Sequence, residues 1–72
     1  MNWKKELKVG DKFMYSDLTH FAIVAAINNN NISFTWYYMH DGKEAGTPTL
    51  SIDHFCALNF ITPITPLLES LL

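Results

Sequence analysis

No arginine occurs among the 72 residues; the five basic side chains are all lysines, at 4, 5, 8, 12 and 43. The chain therefore lacks the forked donor that makes bidentate contacts to phosphate or guanine. Five basic against seven acidic residues give a net charge of -2, so there is no basic face to release counterions from a nucleic acid, and such a partner is disfavoured. Cysteine is nearly absent. Cys56 alone excludes an internal disulfide and an all-cysteine zinc site, and a reducing, cytoplasmic setting is expected. The opening Met-Asn-Trp-Lys-Lys-Glu-Leu-Lys has basic residues but no apolar run behind them, so no secretory leader is expected there. No apolar stretch reaches about 18 residues, and no membrane span is expected. The glycines stand apart at 10, 42 and 46 and form no Gly-rich phosphate cradle.

Apolar side chains, by contrast, are plentiful. They make up 49% of the chain against 17% charged residues, which excludes a disordered polymer. A chain of this length buries only about 60% of its unfolded surface, so composition must carry its stability and apolar surface is left over for a partner. One domain over residues 1–72 is expected.

Period-two patterning places the strands. Phe13 and Tyr15 alternate with Lys12, Met14 and Ser16; Phe21 to Ile27 is an unbroken apolar run that reads as a central strand buried on much of both faces. The four asparagines Asn28–Asn31 read as a hairpin turn, because asparagine tolerates left-handed backbone. In the clearest strand, 32–40, the residues Ile32, Phe34, Trp36 and Tyr38 fall on an inner face and Ser33, Thr35, Tyr37 and Met39 on an outer one. After a loop at 41–46 comes a short strand, 47–50, that Pro48 confines to an edge. Ser51 is placed to cap a helical turn from Ile52 to Leu58, with Ile52, Phe55 and Cys56 inward. A last strand covers 59–62. Trp3 and Leu7, four apart, fit a helical turn or a cap over a barrel end.

Five short strands with a helical turn before the last resemble a small SH3-like β-barrel over about residues 7–62, with a short helical tail at 63–72. The resemblance is carried by Val9-Gly10-Asp11-Lys12-Phe13, by the Asn28–Asn31 hairpin and by Leu50-Ser51-Ile52-Asp53-His54-Phe55. The acidic and aromatic pattern of proline-peptide-binding SH3 domains is missing, so that activity is not implied. Small acidic barrels of this kind are similar to accessory proteins of phages and mobile elements. Some of those inhibit host defence by binding a host protein or sequestering a signalling nucleotide, and the resemblance implies a role of that sort.

Acid–base, nucleophilic or metal chemistry would have to come from His20, His40, His54, Asp17, Asp41, Asp53 and Cys56. The plainer reading prevails for each. His40-Asp41-Gly42 is a strand end and a tight turn, while His54 and Cys56 stand about 200° apart on a helix. No catalytic residue, metal or cofactor is expected; His20 and His40, whose strand ends can meet at one rim, are candidates for binding the partner or ligand. Tyr37 should project outward beside Thr35 and Met39, forming a patch that docks a protein or stacks a base. Its plainer alternative is packing against a neighbouring strand. Trp3 either caps the barrel or lies in an interface. Leu67, Leu68, Leu71 and Leu72 form a narrow stripe expected to bury itself in a second copy, giving a homo-oligomer, or else to fold back on the barrel. The reading is thus a non-enzymatic module that captures a protein or a small nucleotide-like ligand stoichiometrically. The alternatives are a nucleic-acid-associated barrel and a structural subunit of a larger assembly.

Overall fold

Alternation of apolar and polar side chains from Ile32 onward makes this stretch a strand buried on one face, and the remaining elements assemble around it. The computed structural model describes residues 3–64. In chain order the strands are β1 (Lys12–Tyr15), β2 (His20–Ile27), β3 (Asn31–Tyr38), β4 (Glu44–Gly46), β5 (Thr49–Ser51) and β6 (Ile61–Pro63), with helix α1 (Ile52–Ala57) between the last two. They form one antiparallel sheet in the order β4-β3-β2-β1-β6, with β5 also on β3. Strands take 47% of the described residues and helices 16%, so the fold is mainly β. The leucine stripe at Leu67, Leu68, Leu71 and Leu72 lies outside the described residues.

β4 and β5 are one edge strand with a break. Gly46 pairs with Trp36, Thr49 with Ser33 and Leu50 with Ile32, all on the same edge of β3. Between them stands Pro48, which has no N–H to give and so belongs on an edge. Its carbonyl still accepts from the Phe34 N–H at 3.2 Å. The expected edge strand is therefore present but begins earlier, at Glu44, in a stretch the sequence presents as loop. The opposite edge, β6, pairs only with β1 among the described residues, and the sheet is open.

The core is organised by a gap in side-chain size. Phe13, Ala22 and Trp36 stand in register across β1, β2 and β3 and so project from the same face. Ala22 contributes only a methyl group, and the rings of Phe13 and Trp36 reach over it to meet edge to face, 5.4 Å between centroids. Phe13 also touches Phe34 at 5.1 Å, Phe55 at 5.3 Å and Trp3 at 6.2 Å. Phe55 arrives from α1, whose N-terminus is capped by Ser51: its hydroxyl accepts from the His54 N–H at 3.1 Å. At the other end of α1, Lys4 donates to the carbonyls of Cys56 and Leu58. That cation satisfies carbonyls the helix leaves open and complements its dipole. It also holds the N-terminal 3₁₀ turn, Trp3–Glu6, against the core, where Trp3 and Leu7 both pack.

Four local expectations are corrected. Met14 is fully buried rather than outward, because in the ladder it stands between Phe21 of β2 and Thr62 of β6. Tyr38 is exposed rather than in the core, since β3 outruns the Phe13 cluster by that point. Burial of β2 stops at Val24, where a register shift leaves Ala25 without a partner and Ala25, Ala26 and Ile27 exposed. The last strand runs 61–63 rather than 59–62.

If the ring contact depends on Ala22, Ala22→Leu should lower stability in urea unfolding by about 1–3 kcal/mol through overpacking. Ala25→Leu at the exposed bulge should stay within about 0.5 kcal/mol of the parent. Equal effects at the two positions would show that the rings do not need the gap.

Candidate functional site

Two residues along each strand the same face presents a second rung, and this one reaches solvent. Tyr15, His20 and Tyr38 succeed Phe13, Ala22 and Trp36 on their strands, with His20 directly opposite Tyr38. Ring centroids are 4.9 Å apart for Tyr15 and His20 and 4.9 Å for His20 and Tyr38. Phe60 continues the row beyond Tyr15 at 5.2 Å, and His40 extends it past Tyr38 at 5.8 Å. Trp36 ties the row to the core, lying 4.4 Å from Tyr15 and 6.3 Å from His20. Tyr38 is 39% exposed, Phe60 46% and Leu18 57%. Leu18 belongs to the β1–β2 turn, so all three stand at one end of the sheet, here called the rim.

The turn beside the rim is held by a short polar chain. Asp17 Oδ1 accepts from the Thr19 N–H at 3.0 Å and from its hydroxyl at 2.7 Å. Thr19 Oγ1 also lies 2.8 Å from His20 Nδ1. A threonine hydroxyl has one proton; with that proton on Asp17, the oxygen accepts from Nδ1–H, and His20 keeps Nε2 as its open nitrogen. The Thr19 hydrogen bonds, hydroxyl first, hold the Asp17 carboxyl below the usual carboxylate range against the opposing effect of desolvation. Leu18, between them, has φ 67°, a left-handed conformation that hairpin loops normally give to glycine. The Met39 N–H donates to the Thr19 carbonyl at 2.9 Å and so joins the far end of β3 to the same turn. At the other end of the row His40 Nε2 lies 3.4 Å from Asp41 Oδ2.

The sequence candidates divide between this rim and other places. His20 and His40 are both at the rim, one on each side of Tyr38. Tyr37 and Thr35 are not. Tyr37 stacks on Phe21, 5.1 Å away and within 17° of parallel, which is the plainer packing alternative, and Thr35 Oγ1 lies 3.3 Å from Thr47 Oγ1. Both stand on the face opposite the row. Met39 is half-buried beyond the end of β3. Trp3 packs on the core and, with Leu7, Gly10, Lys12, Pro63 and Ile64, lines a cleft at the end of the sheet away from the rim. Among the described residues no three His, Cys, Asp or Glu side chains come together as a metal-binding set, and no helix is long and apolar enough to cross a membrane.

Sequence reasoning passed over Tyr15, Leu18 and Phe60 and counted Tyr38 as core. One signal was available: a leucine between Asp17 and Thr19 in a four-residue connector is out of place in a polar turn. Compared with protein-family models, curated proteins and solved structures, the chain matches none.

Leu18→Gly should raise stability by about 0.5–1 kcal/mol, the relief of left-handed strain less the backbone entropy of glycine; a loss would show that the leucine side chain stabilises the fold. For Asp17 the folded pKa is lowered, so its contribution is complete above the unfolded-state value and is lost as pH falls through the folded one. Asp17→Asn should therefore be less stable than the parent at neutral pH, with the gap closing in acid. A gap independent of pH would remove the charge from the account.

Proposed function

We propose that the chain is a non-catalytic binding module, built on an SH3-like barrel plan, that captures a protein partner at the aromatic rim. The observation that carries this reading is the grouping of Leu18, Tyr38 and Phe60. Five large apolar side chains are exposed among the described residues, and these three share one end of the sheet. Rigid aromatic side chains make strong anchors because they bring much contact area at little entropic cost. Here Phe60 and Tyr38 also rest on Tyr15 and His20, which pack in turn on Trp36.

The barrel plan is supported by the strand order, in which the last strand follows a helical turn and lies beside the first. Its likeness to small phage accessory proteins gives the reading a physiological form, stoichiometric inhibition of a host protein. The absence of arginine and the acidic side chains Asp17 and Asp41 at the rim count against a phosphate-rich ligand. The Thr19 hydroxyl, with its proton given to Asp17 and its lone pair to His20, is not set up as a nucleophile.

Amide NMR titration of the full chain with a tryptophan-containing tripeptide, an arginine-containing tripeptide and adenosine monophosphate tests the reading. Saturable shifts at Tyr15, His20, Tyr38 and Phe60 with a peptide, abolished in Tyr38→Ala and Phe60→Ala proteins that remain folded, are expected. Preference for the nucleotide, weakening steeply with salt, would move the reading to nucleic acid. No saturable shift at the rim with any probe would overturn it.

A further inference from the structure

The rim is not uniform along its length. At its Phe60 end the rings of Tyr15 and Phe60, 5.2 Å apart and inclined by 60°, join Ser16 and Asp17 in lining a cleft of about 410 Å³, within the range of small-ligand clefts. The cleft has one ionisable group that carries charge at neutral pH, the Asp17 carboxylate. Both Thr19 hydrogen bonds to that carboxylate fall on Oδ1, and Oδ2 takes part in neither. No lysine lines the cleft. Two aromatic rings beside a carboxylate attract a cation twice over, through the negative face of each ring and through direct charge pairing.

We infer that this cleft is a receptor for an arginine side chain of a partner protein, seated against Tyr15 and Phe60 with its guanidinium paired to Asp17 Oδ2. The inference rests on the reading of the rim as a protein-binding surface and names the chemistry of that partner. Charge complementarity carries it: an anionic, ring-lined cleft whose carboxylate leaves Oδ2 out of its bonds to Thr19 calls for a flat, weakly hydrated cation. A guanidinium is planar, stacks on rings and sheds water more readily than the compact, strongly hydrated ammonium of lysine. None of the 72 residues is an arginine, so no arginine side chain of this sequence competes for the cleft. The low pKa of Asp17 keeps the carboxylate charged through mildly acidic conditions.

The test is amide NMR titration of the full chain with acetyl-Gly-Arg-Gly-amide and with the same tripeptide carrying citrulline, which keeps the shape of arginine without its charge. Saturable shifts at Tyr15, Ser16, Asp17 and Phe60 with the arginine peptide are expected, with binding at least about tenfold weaker for citrulline. Asp17→Asn, an exposed position that should fold normally, should bring the two peptides to equal affinity, and Phe60→Ala should weaken the arginine peptide. Equal binding of the two peptides to the parent protein would overturn the inference. If the arginine peptide fails while the tryptophan peptide or adenosine monophosphate saturates the rim, the arginine receptor falls and binding at the rim stands. If no probe saturates the rim, both fall.

Discussion

The contact between Phe13 and Trp36 across Ala22 is the constraint from which the rest of the structure follows. Two rings on strands separated by a third can meet only if the middle strand offers almost no side chain there, and Ala22 offers a methyl group. Once the rings meet, Phe13 becomes a hub that Phe34, Phe55 and Trp3 approach from β3, α1 and the N-terminal turn. A chain this short has no second core to fall back on. Trp36 also faces the other way: its contacts with Tyr15 and His20 make the exposed row a continuation of the core rather than a decoration on it. Tyr15 and His20 are thereby braced by the core, and the proposed partner would meet those two rings already ordered.

The peripheral elements act by closing open hydrogen bonds. Lys4 answers the carbonyls at the end of α1, and Ser51 answers an N–H at its start. A helix of six residues cannot persist by itself in water, so these two contacts and the burial of Phe55 are what keep it formed. Along the β3 edge, Pro48 interrupts pairing but keeps its carbonyl bonded to Phe34. The same interruption blunts the edge against pairing with another chain.

Much of this architecture was legible in the sequence, because period-two alternation reports faces directly. Ile32 and Phe34 are buried, Ser51 caps its helix, and Pro48 lies on an edge, each for the reason its residue type supplies. What alternation cannot report is where a core ends. Tyr38 continues the inner face of β3 by pattern, yet the Phe13 cluster stops short of it, and the same phase that buries Phe34 leaves Tyr38 in water. Met14 shows the converse: its burial comes from Phe21 and Thr62, partners distant in sequence. Tyr37 has a stacking partner in Phe21 that becomes visible only when the β2–β3 register is known. The rim draws on three segments, 15–20, 38–40 and 60, and no single-strand pattern links them.

Leu18 ties the energetics of the fold to its use. A left-handed leucine costs about 1–2 kcal/mol, and in a domain of this size that is a substantial share of the total stability. Its side chain is more than half exposed, so burial within this chain returns little of that cost. Glycine at the same position would serve the turn better, and the hydrogen bonds from Thr19 to Asp17 do not involve the leucine side chain. The fold alone gives no reason for an apolar group there, whereas a partner seated on Tyr38 and Phe60 would bury it. The residue that makes least sense to the isolated chain is thus the one that the proposed docking of a partner at the rim would explain.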